Sequence, residues 1–155
     1  MTRTVWYPGH MARGLRKLRE LSEKLDLLVE VRDARAPALT GSPFSEQVAR
    51  FRPVWIVLSK KDLAVEEATA RWLSFFRDQG GKAWALDLRK GNLEPLLRTA
   101  ARLRPSHREL RLAVIGIPNV GKSQLLNGII GKNTAPVGGI PGITRGVSWY
   151  KGKGF

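Results

Sequence analysis

The segment GIPNVGKS at residues 116–123 constrains the fold more than any other part of the sequence. It fits the phosphate-binding pattern G-x-x-x-x-G-K-[ST], with Gly116, Gly121, Lys122 and Ser123 at the fixed positions. The apolar run RLAVIG precedes it and the helix-forming run SQLLNGII follows it, which predicts a strand, a loop and a helix. A chance glycine-rich turn is the alternative, but the lysine and the hydroxyl stand where phosphate chemistry needs them. We therefore expect a P-loop, in which backbone N–H groups surround a phosphate at the start of a helix.

The side chains of this loop have separate expected roles. Lys122 would contact the β- and γ-phosphates of a nucleotide, and the Ser123 hydroxyl would ligate Mg²⁺. The remaining residues expected to contact the nucleotide here are Asn119, Val120, Gly121 and Gln124. A P-loop touches phosphates only, so the choice of base must be made elsewhere in the chain.

Apolar strands alternate with amphipathic helices along the chain, which predicts an α/β fold with a mostly parallel sheet flanked by helices. A length of 155 residues suits a single domain with a real core. The predicted strands lie at 25–31, 54–58, 82–86, 111–116 and 147–151. The predicted helices lie at 10–25, 66–79, 92–103 and 122–130, and residues 131–146 are predicted to form a loop.

The stretch SKKD at the end of the second predicted strand is the expected base site. It resembles the N-K-x-D motif of GTPases, and its residues are Ser59, Lys60, Lys61 and Asp62. The Asp62 carboxylate would accept hydrogen bonds from guanine N1–H and N2–H₂, while the aliphatic stem of Lys60 would lie along the base. Ser59 replaces the usual Asn, which predicts a weaker tie to the P-loop. A helix N-cap is the alternative role for Asp62, and the two roles can coexist.

The turn after the third predicted strand is a further nucleotide contact. Its residues Asp87, Leu88 and Arg89 resemble the S-A-K segment of GTPases, whose backbone contacts guanine O6. The side chains match poorly, whereas the position after a strand matches well.

The base-reading segment precedes the P-loop, the reverse of the order in ordinary GTPases. This order predicts a circularly permuted G domain, which is tolerable because domain termini tend to lie close together at the surface. We expect residues 1–24 to form a basic N-terminal segment, 25–103 the base-reading half and 111–155 the half with the P-loop and switch I. Residues 104–110 would join the two halves where an ordinary G domain has its termini.

Four stretches together resemble the YlqF/RbgA family of circularly permuted GTPases, which act in assembly of the large ribosomal subunit. They are WYPGHMAR at 6–13, VRDARAPALTGSP at 31–43, SKKD followed by the P-loop, and PGITRG at 141–146. The resemblance implies a switch that binds GTP and GDP, hydrolyses GTP, and depends on Mg²⁺. It implies a switch I in which Thr144 reaches Mg²⁺, a catalytic role for His10, and K⁺ at Asn119 as a candidate cofactor. A helix-start position or an RNA contact is the alternative for His10.

Charge points to the expected partner. The chain has 27 Lys plus Arg against 13 Asp plus Glu, and its net charge of +14 would attract polyanions. A merely basic protein is the alternative. The resemblance narrows the partner to the precursor of the large ribosomal subunit and its rRNA, with the protein a monomer away from the ribosome. The chain has no cysteine, which excludes disulfides, and no long apolar run or signal sequence, so we expect a cytoplasmic protein without membrane association.

The sequence leaves hydrolysis open. No D-x-x-G motif follows Thr144, and the sequence ends at GKGF, where the family would continue into D-T-P-G and a helical C-terminal domain. We therefore expect a chain truncated before D-x-x-G. The leading hypothesis is a GTPase switch. The alternatives are a constitutive RNA-binding module with structural nucleotide, and an ATP-using P-loop enzyme.

Overall fold

A parallel four-stranded sheet in the order β3-β2-β1-β4 forms the centre of the molecule. The computed structural model describes residues 22–131 together with Arg16, Arg19 and Glu20. Its strands are β1 (Leu27–Asp33), β2 (Val54–Ser59), β3 (Lys82–Ala85) and β4 (Leu112–Ile115). Its helices are α1 (Pro43–Val48), α2 (Glu66–Asp78), α3 (Glu94–Ala101) and α4 (Lys122–Ile130), with a 3₁₀ turn at Lys61–Leu63.

The predicted α/β class is confirmed, and four strands and three helices lie within two residues of their predicted ends. Helix α1 was not predicted, because six residues are too few to show a helical period. Its local signals are nevertheless present, since Pro43 occupies the first turn and the Ser42 hydroxyl accepts a hydrogen bond from Phe44 N. The strand predicted at 147–151 lies outside the described residues, as do most of the helix predicted at 10–25 and nearly all of the loop predicted at 131–146.

Helices cover both faces of the sheet. Leu27, Val29 and Val31 of β1 pack in a core with residues of α3 and α4. Leu28, between them in sequence, packs on the other face against Phe44 of α1. Burial on both faces explains why β1 opens with three consecutive apolar residues, Leu27, Leu28 and Val29, instead of an alternating pattern.

The tryptophans that the structure describes pack against other apolar side chains. Trp55 is 3% exposed and its ring lies 5.1 Å from that of Trp84, centroid to centroid. Both belong to the core shared with α3 and α4, whereas Trp72 packs at the core on the α2 side. Trp6 lies outside the described residues.

A buried carboxylate orders the connection from β1 to α1. Glu30 is fully buried and accepts hydrogen bonds from the Arg32 guanidinium, at 2.9 Å from Nη2, and from the Ser45 hydroxyl at 2.8 Å. It also accepts from the backbone N–H of Ser42. Since a buried charge must be paired and hydrogen-bonded, these contacts fix the path of the chain after β1.

The carboxyl ends of all four strands meet at one edge of the sheet, because the strands are parallel. Along the chain the strand order runs outward from β1 through β2 to β3, and then returns to place β4 on the other side of β1. The reversal between β1 and β4 creates a crevice outside their carboxyl ends, where ligands of open α/β sheets bind. The predicted phosphate and base segments follow β4 and β2 at this edge.

Candidate functional site

The P-loop runs from the end of β4 to the start of α4, and its glycines are required by its geometry. A Cβ on Gly116 would lie 2.7 Å from the backbone oxygen of Val31, so only glycine fits beside β1. Gly121 has φ +103° and precedes α4, and Asn119 has φ +63°. Left-handed residues within such a loop turn successive N–H groups toward a common centre, which is the geometry of an anion-binding nest.

Lys122 and Ser123 lie in the first turn of α4. Lys122 Nζ donates to the backbone oxygens of Gly116, at 2.9 Å, and Ile117, at 3.0 Å, so the ammonium lies across the loop. Burial lowers the pKa of Lys122. Gln124, one residue beyond Ser123, is half-buried beside Gly121. The ammonium is thus placed to exchange carbonyl oxygens for phosphate oxygens.

Ser59 and Lys60 connect the expected base site directly to the P-loop. Ser59 is 1% exposed, and its hydroxyl lies within hydrogen-bonding distance of the Val120 carbonyl and, at 3.1 Å, of the Arg32 carbonyl. Lys60 Nζ donates to the Asn119 carbonyl at 2.9 Å. Although Ser59 replaces the usual Asn, the tie to the loop is present, since the shorter side chain still reaches it.

Asp33, at the end of β1, holds the Lys60 ammonium and was not among the predicted site residues. Its Oδ2 lies 3.2 Å from Lys60 Nζ and 2.7 Å from Arg35 Nη2. Its Oδ1 accepts from the backbone N–H of Arg35 at 2.9 Å and from Arg35 Nε at 3.0 Å. These hydrogen bonds, led by that of the Arg35 side chain, hold the pKa of Asp33 far below its usual range. The available signal was the position of Asp33 at the end of an apolar strand.

Asp62 lies in the 3₁₀ turn after β2 and faces the turn after β3. Its Oδ2 accepts from Arg89 Nη2 at 2.6 Å, and Asp87 Oδ1 accepts from the Arg89 backbone N–H at 3.0 Å. That backbone hydrogen bond is the main cause lowering the pKa of Asp87. The helix N-cap alternative for Asp62 is wrong, because the residues that precede the 3₁₀ turn and α2 are Lys60 and Val65. The ion pair with Arg89 could not be predicted from sequence, since it joins separate turns.

The turn after β3 closes the site from the other side. Lys61 N–H donates to the Leu86 carbonyl at 3.3 Å, which continues the pairing of β2 with β3 beyond the strands. The Leu88 side chain lies 3.1 Å from where a Cβ of Gly121 would stand, so this turn also contacts the P-loop. The structure thus brings the three predicted nucleotide segments together.

Two predicted site residues, His10 and Thr144, lie outside the described residues. Within the described part of the chain, no cluster of three or more His, Asp or Glu side chains could hold a metal ion by itself. The Ser123 hydroxyl, which the sequence predicts as a ligand of Mg²⁺, is half-buried at the start of α4.

Known proteins resemble this chain in sequence. A family model described as 50S ribosome-binding GTPase matches residues 111–154. Ribosome biogenesis GTPase A of Thermotoga maritima is 37% identical over 145 residues, which cover 94% of this chain and 53% of that protein. The chain spans about half the length of the curated relatives it matches.

Two solved structures of YlqF resemble this chain in fold as well as in sequence. GNP-bound YlqF from T. maritima matches with a TM-score of 0.60 and 32% identity, over 79% of this chain and 49% of that one. Its GDP-bound structure matches with a TM-score of 0.58 and 33% identity, over 76% of this chain and 48% of that one. No helix in the described residues is long and apolar enough to cross a membrane.

Proposed function

We propose, on the basis of the confirmed resemblance to the YlqF/RbgA family, that the chain is the guanine-nucleotide-binding part of a GTPase acting in assembly of the large ribosomal subunit. The observation that carries the proposal is the hydrogen bond from Lys60 to the Asn119 carbonyl. It joins the base-reading segment after β2 to the phosphate loop after β4, although 59 positions separate the two residues in sequence.

The nucleotide would lie across the carboxyl edge of the sheet. Its phosphates would occupy the P-loop, where Lys122 exchanges the carbonyls of Gly116 and Ile117 for phosphate oxygens. Its base would lie between the turns after β2 and β3, with Asp62 accepting guanine N1–H and N2–H₂. Mg²⁺, held by Ser123 and the phosphates, would neutralise charge that develops during phosphoryl transfer.

Hydrolysis and switching form the finer part of the proposal. Switch I, at about 131–146 with Thr144, would order around GTP and Mg²⁺ and relax after hydrolysis. His10 would help to position the attacking water, and K⁺ would bind at Asn119. The backbone carbonyl of Asn119 already accepts from Lys60, so its side-chain amide is the group that would contact K⁺.

A basic rim at the opposite edge of the sheet supports RNA as a partner. We define it by the exposed cations near the amino ends of the strands: Lys24, Arg50, Lys82, Arg102 and Arg111. None of the five is in an ion pair with a described residue, so their charge is available to phosphates. Because the rim lies opposite the nucleotide site, the chain would be able to bind rRNA and nucleotide at the same time. We further propose that it acts in the cytoplasm and is a monomer away from the ribosome.

The rim is tested by the salt dependence of RNA binding. Arg102→Gln with Arg111→Gln should lower the slope of log affinity against log salt by about 1.4–1.8, at about 0.7–0.9 per phosphate contact. Arg71→Gln with Arg98→Gln, which removes two exposed charges from helix surfaces, is the matched control. An equal change of the salt slope in both double variants would show that RNA binding depends on net charge alone and not on the rim.

Base selectivity tests the nucleotide proposal. GDP and ADP compete against a fluorescent guanine nucleotide for wild type, Asp62→Asn and the control Asp78→Asn, an exposed carboxylate at the end of α2. We expect GDP to win by at least about tenfold, or about 1.4 kcal/mol, with the preference lost only in Asp62→Asn. Equal competition by GDP and ADP in wild type would favour the ATP-using alternative. RNA affinity that is the same with GTP and GDP analogues would favour the constitutive RNA-binding module.

A further inference from the structure

We propose that Asp33 is a positioning residue of the nucleotide site: it fixes the Lys60 ammonium, and Lys60 in turn sets the conformation of the P-loop. This inference rests on the proposed nucleotide binding. The carboxylate, the ammonium and the loop carbonyl form a continuous line of contacts, with Asp33 Oδ2 at 3.2 Å and Asn119 O at 2.9 Å from Lys60 Nζ.

The carbonyl contacts matter because of peptide geometry. In a trans peptide the C=O and the following N–H point in opposite directions, and no cis peptide occurs in the described residues. Lys60 holds the Asn119 carbonyl and Ser59 contacts the Val120 carbonyl, so the N–H groups of Val120 and Gly121 are turned the other way. These two N–H groups belong to the loop that would surround a phosphate. Lys60 therefore orients donors as well as lying beside the base.

Lys60 needs a partner to stay in this position. Its backbone has φ +57°, a left-handed conformation that is uncommon for a residue other than glycine. A second cation lies beside it, since Arg35 pairs with the same carboxylate oxygen, Asp33 Oδ2, that lies 3.2 Å from Lys60 Nζ. The Asp33 side chain is 10% exposed and bears the carboxylate that pairs with Lys60. Without it, Lys60 and the Arg35 guanidinium would repel each other.

Asp26 is a closely matched control for Asp33, because it lies at the opposite end of β1. Asp26, just before β1, also accepts from an arginine side chain, Arg108, and from a backbone N–H, that of Arg111. Its side chain is 17% exposed. Asp26→Asn and Asp33→Asn thus remove the same charge from similar surroundings, but only Asp33 contacts a residue that reaches the P-loop.

The experiment is a double-mutant cycle on GDP affinity in wild type, Asp33→Asn, Lys60→Met and the double variant, with Asp26→Asn alongside. We expect Asp33→Asn to weaken GDP binding about tenfold, the scale of a lost charge-assisted hydrogen bond, and Asp26→Asn to change it less than twofold. In the Lys60→Met background, Asp33→Asn should cause no further loss, because Lys60 carries its effect.

Each other outcome is decisive. Additive losses, or equal losses in the two aspartate variants, would overturn the inference in favour of a general effect on folding. Failure of wild type to bind GDP would instead overturn the proposed function. Should Asp33→Asn not fold, Asp33→Glu keeps the charge but displaces the ammonium, and the same loss of affinity with near wild-type stability is expected. The same double-mutant cycle can be measured with Asp33→Glu and Lys60→Met. The positioning role would be refuted if Asp33→Glu bound GDP as tightly as wild type and its effect on GDP affinity were the same with and without Lys60.

Discussion

Arg89 forms an ion pair with the Asp62 carboxylate, which is the group that guanine would need. Removal of the Arg89 side chain should therefore strengthen binding of guanine nucleotides. Arg89 Nη2 lies 2.6 Å from Asp62 Oδ2, and guanine must displace this guanidinium to place its own N–H donors there. The side chains of Arg89 and Asp62 are 62% and 29% exposed, so the pair is a surface ion pair. Such pairs contribute about 0.2–1 kcal/mol, and Arg89→Ala should therefore raise GDP affinity by up to about fivefold.

The assay is titration with a fluorescent GDP analogue at low and at high salt. The gain should shrink at high salt, because salt screens the attraction within an exposed ion pair and so already weakens the competition from Arg89 in wild type. Arg98→Ala is the matched control, since Arg98 forms a comparable surface pair with Glu94 and its removal lowers the net charge equally. If Arg89→Ala binds GDP more weakly than Arg98→Ala does, Arg89 holds the nucleotide instead of competing with it, and the reasoning fails.

Two further predictions concern the loop and the acid stability of the fold. Gly116→Ala should destabilise the protein by about 1–3 kcal/mol in urea unfolding and abolish detectable GDP binding, because the new Cβ would lie 2.7 Å from the Val31 carbonyl; normal binding would show that the loop can shift freely. The hydrogen bond from Arg108 lowers the pKa of Asp26, so the stability that ionised Asp26 contributes is complete above about pH 4 and is lost as pH falls through its folded pKa. Arg108→Gln should therefore be less stable than wild type at pH 7, and the difference should narrow toward pH 3; a constant difference would contradict the linkage.

The sequence predicted the described strands well because each combines an apolar run with a polar turn at its end. The segments after β2, β3 and β4 were predicted as parts of one nucleotide site from their resemblance to GTPase motifs, and in the structure they follow strands of one parallel sheet, whose carboxyl ends share an edge. Helix α1 was missed because its six residues carry capping signals but no period. Periodicity thus identifies elements that are long enough to repeat, and the shorter ones depend on contacts such as those of Glu30.

The contacts that complete the site were beyond sequence reasoning because they join side chains from separate turns. The serine in place of the usual Asn predicts a weaker tie to the P-loop, yet the buried Ser59 hydroxyl lies beside the Val120 carbonyl. Asp33 and Arg89 belong to stretches that resemble family motifs, but those motifs do not specify their side-chain partners, Lys60 and Asp62. A motif gives residue types at fixed spacing along one segment, whereas these distances depend on how adjacent strands pack.

The packing also explains how the site tolerates its order along the chain. The site requires the ends of β4 and β2 to flank that of β1, and strand neighbours in the sheet satisfy this whichever strand comes first in sequence. The permuted order does require that the segment between α3 and β4 be well anchored at the amino-terminal edge of the sheet. This segment contains residues 104–110, which we propose as the junction of the two halves. There Arg108 forms two hydrogen bonds with Asp26, of 2.6 and 2.8 Å, and Asp26 also accepts from Arg111 N–H. The start of β1 and the start of β4 are thus held together at the edge of the sheet opposite the proposed nucleotide site, and we expect this contact to help keep the base-reading segment and the P-loop in register.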